Sequence, residues 1–428
     1  MKLQRFFRGN LILKITSLNA VVITIRLIVS VFIQRLLAVN LGEAGIANIG
    51  QVRNLIGMVT STSTFGTFSG IVKYVAQYRQ NLMELAKLFS TTLVFLLIGS
   101  ALTAMVLFFG AETFSIYFFG TNSYGFVLQL LAVLTPFVAL NRVISAVVNG
   151  LSEYKKYAKI ELISYLLATV AIIIGLYTGN LEGVLIAIIV APVIQLGVVL
   201  AIFGPRLSDY VQFNSLTWSL FYKNKLLAFT LMSFVSTFML NYIELDIRTL
   251  ITAELNINEA GYWTALNFIS KNYMVFASGL FTLYVIPRFA NIYEKETFKN
   301  EVLNIYKTIL PIFGLGMLLV YLLRNFIIEI IYPDFTGMEP LFKWQLLGDF
   351  IRLCSLVLAH QFLAKRMVKS FIITEIISLL LFFTMSKIFV QYYGTEGIVI
   401  AHFIRYVIYL IIVIIVIRKY FDKQGKEV

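Results

Sequence analysis

Apolar runs of roughly 20–30 residues recur along the chain, separated by short polar stretches, and each is long enough at ~1.5 Å per residue to cross a hydrocarbon core of about 30 Å. They lie near 11–39, 44–76, 84–110, 124–150, 157–178, 182–203, 225–254, 259–289, 303–324, 339–364, 371–392 and 396–418. The pattern predicts an all-α integral membrane protein of twelve transmembrane helices. The polar stretches alternate in charge. One set carries Lys2, Arg5, Arg8 and Lys14; Lys73, Arg79 and Lys87; Lys155, Lys156 and Lys159; Arg206, Lys223 and Lys225; Arg288, Lys295, Lys299 and Lys307; Lys365, Arg366 and Lys369; and Arg418, Lys419, Lys423 and Lys426. The opposite set, 40–43, 111–123, 179–181, 255–258, 325–338 and 393–395, holds no Lys or Arg. Basic loops stay cytoplasmic, so both termini are expected there. The basic start runs into an apolar stretch without a small-residue cleavage site, and reads as the first span rather than a removable leader.

The chain also repeats itself. Glu182-Gly183-Val184-Leu185-Ile186-Ala187 returns as Glu396-Gly397-Ile398-Val399-Ile400-Ala401, and Ile160-Glu161-Leu162-Ile163-Ser164 as Thr374-Glu375-Ile376-Ile377-Ser378, both 214 residues later. Glu43-Ala44-Gly45 returns as Glu259-Ala260-Gly261 after 216. This predicts two pseudo-symmetric six-helix lobes, 1–203 and 225–428, joined by a cytoplasmic linker at 204–224. Repeats of even helix number keep their orientation, and transporters place substrate where such repeats meet.

At 100° per residue, polar positions fall into stripes. The second helix aligns Arg53, Gly57, Thr60, Thr64 and Thr67. The seventh aligns Thr230, Thr237, Asn241, Glu244, Arg248 and Thr252. The eighth aligns Thr264, Asn267, Lys271, Ser278 and Thr282, and the first Asn19, Arg26 and Ser30. Small hydroxyl residues also serve as helix–helix glue. The cations go further: a charge at the bilayer centre costs about 2.5–3.5 kcal/mol on insertion scales, and it persists where it faces water or a partner. Arg26, Arg53 and Lys271 come out deep in the hydrocarbon. Arg35 and Arg248 lie nearer the outer surface, where snorkelling competes, and Arg248 has Glu244 one turn earlier as a partner. A guanidinium binds oxyanions in bidentate fashion and stays charged when desolvated. Arg26, Arg53, Arg248 and Lys271, with Asn241, Asn267, Thr60 and Thr64, are therefore the candidate contacts for an anionic, hydroxyl-rich ligand such as a glycan on a pyrophosphate.

The second lobe gathers most of the buried acids. Glu244, Asp246, Asp349 and Glu375 are candidates for coupling transport to an ion, with Asp349–Arg352 also readable as a structural pair. Arg142 has no evident acidic partner. His360 and His402 lack ligand spacing, so no metal is expected.

Composition fits this picture. The chain is 59% hydrophobic and 13% charged, with mean hydropathy +0.85, against about 25% charged in soluble domains. The net charge of +13 sits in the short basic loops, which removes the nucleic-acid reading. Cys354 stands alone, so no disulfide framework exists. No Walker A loop or other catalytic motif appears and no cofactor is expected, so the chain reads as a transporter rather than an enzyme.

Several segments carry a family resemblance: Leu36-Leu37-Ala38-Val39 with Gly42 and Ala44-Gly45, Lys73-Tyr74-Val75-Ala76-Gln77-Tyr78, Phe229-Thr230-Leu231-Met232, and Trp344-Gln345-Leu346-Leu347-Gly348-Asp349. The chain resembles, across both lobes, the Wzx-type polysaccharide flippases (O-antigen and enterobacterial common antigen branches) of the multidrug/oligosaccharidyl-lipid/polysaccharide exporter superfamily. The resemblance implies a V-shaped fold whose central cavity is lined by the first, second, seventh and eighth helices. It implies an inner-membrane flippase that carries an undecaprenyl-pyrophosphate-linked oligosaccharide, such as an O-antigen-like unit, to the periplasmic leaflet by alternating access, driven by an ion gradient. Membrane lipids, a polysaccharide polymerase and a chain-length regulator are the implied partners. Arg53 and Arg248 fall where relatives have basic residues, and Arg35 where a Lys stands; Lys271 departs, standing where an acid does. A multidrug antiporter of the same superfamily is the alternative, but such proteins tend to place an acid in the cavity, and the first two helices hold none after Glu43. A lipid II flippase commonly has two further helices.

Overall fold

In the computed structural model, backbone is described for residues 11–212 and 215–427, and side chains within this for all but 11–20, 278–280, 282–283 and 424–427. Asn19, Ser278 and Thr282, placed on polar stripes above, have side chains outside the described residues, as do Lys2, Arg5 and Arg8 at the chain start. Every regular element described is helical. Eight segments are long and apolar enough to cross a membrane. Three of these are bent pairs: Leu11–Ser63 breaks at Gly42, Tyr154–Leu207 at Gly179–Asn180, and Val368–Glu427 at Gly394. Leu82–Phe109, Gly125–Gly150, Lys295–Leu322 and Leu341–Ala364 are single spans. The seventh span, running to Glu254, and the eighth, from Ile257 to Ala290, each contain a π-helical turn, at Phe234–Met239 and Phe281–Val285. With each bent pair counted as two and Ile257–Ala290, a helix outside those eight, added to them, the described chain has the expected twelve helices and is a multi-pass membrane protein.

The three bent pairs show why three of the connecting loops are so short. Gly42, Asn180 and Gly394 take φ of 63°, 49° and 55°, and one left-handed residue, Gly or Asn by preference, turns the chain without further length. Asn180 and Gly394 are 214 residues apart, the repeat read from sequence, and the packing repeats with them. A Cβ on Gly183 would lie 2.1 Å from the Gly175 carbonyl oxygen, and one on Gly397 would lie 2.3 Å from that of Phe389. The obstacle is backbone in both lobes and cannot swing aside. Gly183→Ala is therefore expected to destabilise by at least ~1–3 kcal/mol, whereas at Gly197 a Cβ meets nothing within 4 Å. Thermal melting of both variants in detergent, with only Gly183→Ala losing stability, is the check.

Three details differ from expectation. The second helix stops at Ser63 rather than continuing to 76; a separate helix, Phe68–Tyr78, follows. The break is a C-terminal cap in which Phe65 N–H reaches the Thr62 carbonyl at 3.0 Å and Gly66 N–H that of Ser61 at 2.8 Å, with both residues left-handed. Thr67 consequently leaves the stripe. The stretches 111–123 and 325–338, read above as loops, contain short helices, Ala111–Phe119 and Arg324–Ile331. Arg324, counted within a span above, starts the second of these and pairs with Glu339 at 2.7 Å.

By compactness the chain divides into two units. One holds the described residues up to Gln34 together with Gln51–Tyr242; the other holds Arg35–Gly50 and Ile243 onward. The first unit has a hydrophobic core that includes Tyr74, Phe89, Phe203, Tyr222 and Leu226. The stretch 204–224 is helical to Leu207 and docks at its far end: Thr217 N–H donates to Ser90 Oγ and Tyr222 N–H to Thr91 Oγ1, both at 3.1 Å. Tyr222 donates its hydroxyl to Glu84. Burial and that carboxylate push the Tyr222 phenol pKa up, which keeps it a donor.

Candidate functional site

The polar residues of the second unit sort into three groups. The deepest centres on Asp349 of the tenth span, which is fully buried. Its Oδ2 accepts from Ser270 Oγ at 2.5 Å, from the Tyr273 hydroxyl and from Gln345 Nε2 at 3.1 Å; His402 Nε2 stands 3.1 Å from Oδ1. Arg352, one turn on, is 3.9 Å away, at the edge of an ion pair. Asp349 is thus held chiefly by neutral donors from the eighth and tenth spans and by an imidazole of the twelfth, and the Asp349–Arg352 pair is only a part of it.

The second group is a row of cross-helix ion pairs. Lys271 Nζ meets Glu244 Oε2 at 2.7 Å, with the lysine side chain 52% exposed and the glutamate 12%. Lys387 approaches Asp246 at 3.8 Å. Asn267, one turn before Lys271, has a buried Nδ2 with no hydrogen-bond acceptor. The third group is Arg248, only 2% exposed. Its Nε donates to Thr264 Oγ1 at 2.7 Å and its guanidinium lies 5.2 Å from the Trp263 ring centre. A Cβ at Gly50 would come within 2.8 Å of its Cζ. Glu375 lies apart from these, accepting from the Tyr409 hydroxyl at 2.7 Å.

In the first unit, Arg26 leads into a chain of polar contacts. Its Nη1 meets Glu161 Oε2 at 3.1 Å, Gln195 Nε2 donates to Glu161 Oε1 at 2.9 Å, and Asn141 Nδ2 donates to Gln195 Oε1 at 3.1 Å. Arg26 also lies over the Tyr165 ring, 5.0 Å from its centre, and its side chain stays 41% exposed. Arg142 is placed over the Phe68 ring at 3.7 Å. Arg53 is half-buried and engaged with partners. Beside it, Asn54 Nδ2 donates to the Asn241 backbone carbonyl at 3.2 Å, and Asn241 Nδ2 donates to Thr237 O within the π-turn at 2.7 Å. Gly57 leaves room for Asn241, since a Cβ there would meet its side chain at 2.6 Å. The Thr60 and Thr64 hydroxyls donate to carbonyls one turn back, Ile56 at 2.7 Å and Thr60 at 2.8 Å, which leaves only their lone pairs for a ligand.

The structure therefore brings Lys271 together with Glu244, and Asn241 with the second span beside Arg53, but leaves Arg248 walled in and Glu375 apart. Sequence reasoning missed Glu161, Gln195 and Asn141 as partners of Arg26, and Ser270 and Tyr273 as donors to Asp349. Glu161 had one signal: it is half of a repeated segment whose other half holds Glu375. Among the described residues no group of three or more His, Cys, Asp or Glu side chains converges to hold a metal.

Comparison with known proteins gives a consistent frame. A family model described as polysaccharide biosynthesis protein matches residues 46–335. The chain is 27% identical over 379 residues to the lipid III flippase of Escherichia coli (strain K12), covering 88% of this chain and 90% of that protein, and has the same identity and coverage with the lipid III flippase of Shigella flexneri. In fold it is similar to an inward-facing multidrug resistance MATE family transporter of the MOP superfamily, with TM-score 0.79 and 13% identity over 94% of this chain and 96% of that one. It is also similar to the lipid II flippase MurJ in an inward closed conformation, with TM-score 0.71 and 15% identity over 93% and 87%.

Proposed function

Because the chain belongs to the polysaccharide biosynthesis protein family, we propose that it is a flippase for a lipid-linked oligosaccharide, moving an undecaprenyl-pyrophosphate glycan from the cytoplasmic to the periplasmic leaflet of a bacterial inner membrane. It is a transporter and not an enzyme, as its named relatives are flippases. The observation that carries the reading is the pair of accessible cations within the spans: Arg26 and Lys271 each stay 41–52% exposed while backed by one carboxylate on a neighbouring helix. A cation in that position has desolvation offset by its partner and still presents free N–H donors to an oxyanion. Drug antiporters share the fold, but accessible arginine and lysine favour an anionic head. Arg53, beside the Asn54–Asn241 contact, is the third substrate cation, with Asn267, Thr60 and Thr64 as contacts for sugar hydroxyls.

The two lobes alternate access around the head while the polyprenyl tail stays in the bilayer, so only the charged, glycosylated part needs a polar route. Both termini stay cytoplasmic, and a polymerase and a chain-length regulator receive the product. Glu244, Asp246, Asp349 and Glu375 are the carboxylates through which an ion gradient drives the cycle. The test is export of the glycan in cells lacking the native protein. Arg53→Ala should abolish it at normal membrane levels, and Arg53→Lys should restore it only in part, because an ammonium cannot reproduce the guanidinium fork. Full export by Arg53→Ala would remove Arg53 from the site, and export of cationic dyes without glycan would favour the antiporter.

A further inference from the structure

The connection between the sixth and seventh spans is pinned at a defined depth. The third span carries an uncharged run, 88–109, that begins just after Lys87. At ~1.5 Å per residue this run is roughly 33 Å long, close to the thickness of a hydrocarbon core. Ser90 and Thr91 stand in its first turn, and their hydroxyl oxygens accept from Thr217 N–H and Tyr222 N–H, both at 3.1 Å. The backbone from 217 to 222 is therefore held where hydrocarbon gives way to water, at the basic end of the span.

Between these two anchors the segment turns apolar side chains outward. Trp218 and Phe221 are 71% and 72% exposed, and Leu220 44%. Cations stand beside them. Lys87 Nζ lies 4.9 Å from the centre of the Phe221 ring and 2.7 Å from Glu84 Oε1. Lys225 Nζ lies 4.6 Å from the centre of the Tyr222 ring, and Lys223 is exposed at the start of the seventh span. Glu84, the acid in contact with this group, already accepts from Lys87 and from the Tyr222 hydroxyl. Exposed aromatic rings flanked by lysines at this depth match two layers of a leaflet. Rings favour the boundary of the acyl chains, and ammonium groups favour the phosphates just beyond it. A soluble partner would not require the apolar trio to sit level with the end of the hydrocarbon.

We propose that the segment from Thr217 to Lys225 is a docking surface for anionic phospholipid. Trp218, Leu220 and Phe221 enter the acyl-chain boundary of the leaflet, and Lys87, Lys223 and Lys225 face its phosphates. The connection between the lobes is thereby a membrane anchor, tied to the third span by two hydrogen bonds and to the leaflet by its side chains. None of its residues belongs to the contacts proposed for the glycan head, and the lipid it takes is one the protein does not transport.

The test places nitroxide labels on the full-length protein, in a Cys354→Ser background, through Trp218→Cys, Phe221→Cys and, as an exposed control on another basic stretch, Glu296→Cys. The protein is reconstituted in vesicles of equal parts phosphatidylethanolamine and phosphatidylglycerol, and in vesicles of phosphatidylcholine alone. Collision with oxygen, which concentrates in acyl chains, is compared with collision with a water-soluble nickel chelate. The labels at 218 and 221 should meet oxygen freely and nickel severalfold less than the control does, most of all with phosphatidylglycerol. Lys223→Glu should move the balance toward nickel by about fivefold per unit of charge changed in those vesicles, and little in phosphatidylcholine. Nickel access at 218 and 221 equal to that of the control overturns the proposal. Shielding from both reagents overturns it too, because a protein or a second copy then covers the segment. Immersion that is the same in both kinds of vesicle and unmoved by Lys223→Glu overturns the choice of an anionic lipid. If the cysteine variants do not fold, the wild type decides: lipids brominated near the head group should quench its tryptophan fluorescence more than that of Trp218→Phe, and equal quenching overturns the proposal.

Discussion

Asp349→Ala is expected to leave little folded protein in the membrane. The carboxylate is fully buried and accepts from Ser270, Tyr273 and Gln345 with His402 against its other oxygen. Removing it strands four buried polar groups at once, each worth about 1–3 kcal/mol when left unmade, and leaves Arg352 without the nearby charge. The sum is comparable to the whole stability of an ordinary domain, about 5–15 kcal/mol. Asp349→Asn keeps one oxygen acceptor and should accumulate at an intermediate level. Size-exclusion profiles of a fluorescent fusion in mild detergent give the readout. An Asp349→Ala protein that elutes and melts like wild type would show that the surrounding groups find other partners. An Asp349→Asn protein that folds but no longer responds to an imposed proton or sodium gradient would instead mark Asp349 as a coupling carboxylate.

Lys271→Met should stop glycan export and lower stability, and its two effects can be pulled apart. Glu244 is the less exposed partner, 12% against 52% for the lysine, at 2.7 Å. Removing the lysine takes the nearest cation from that carboxylate, and breaking a buried pair from one side costs about 3–5 kcal/mol; partial exposure and the other contacts of Glu244 moderate this. The double variant Lys271→Met with Glu244→Gln has neither charge of the pair and should recover most of the melting temperature. It should not recover export, because the accessible cation is still gone; a lost charge-assisted contact of about 1.5–3 kcal/mol corresponds to roughly a ten- to hundredfold fall in flux. Export restored together with stability would make the pair a structural strut only.

The spans, their number and the half-chain repeat were all present in the amino-acid order, because transfer into hydrocarbon is a property of each residue and its near neighbours. The repeat was legible down to the turn: Glu182-Gly183 and Glu396-Gly397 mark the same close helix approach in both lobes, where only a glycine lets one backbone lie against another. The helix wheels placed polar stripes on the first, second, seventh and eighth spans. What a wheel cannot supply is the identity of the neighbour across the gap. That Arg26 answers to Glu161, 135 residues away, and Lys271 to Glu244 depends on which helices pack together, and no local pattern encodes this. Arg248 shows the same limit from the other side. Its stripe pointed to a ligand-facing cation, yet Gly50, Trp263 and Thr264 enclose it, so its burial is decided by residues far along the chain. The break at Ser63 lies between these cases: Gly66 and the threonines around it were visible, but a left-handed Phe65 is strain that only the surrounding packing holds in place. Sequence by itself settled what lies in the membrane and what it repeats; the tertiary structure decided which charges meet, because ion pairing is set by distance in space and falls off within a few ångströms.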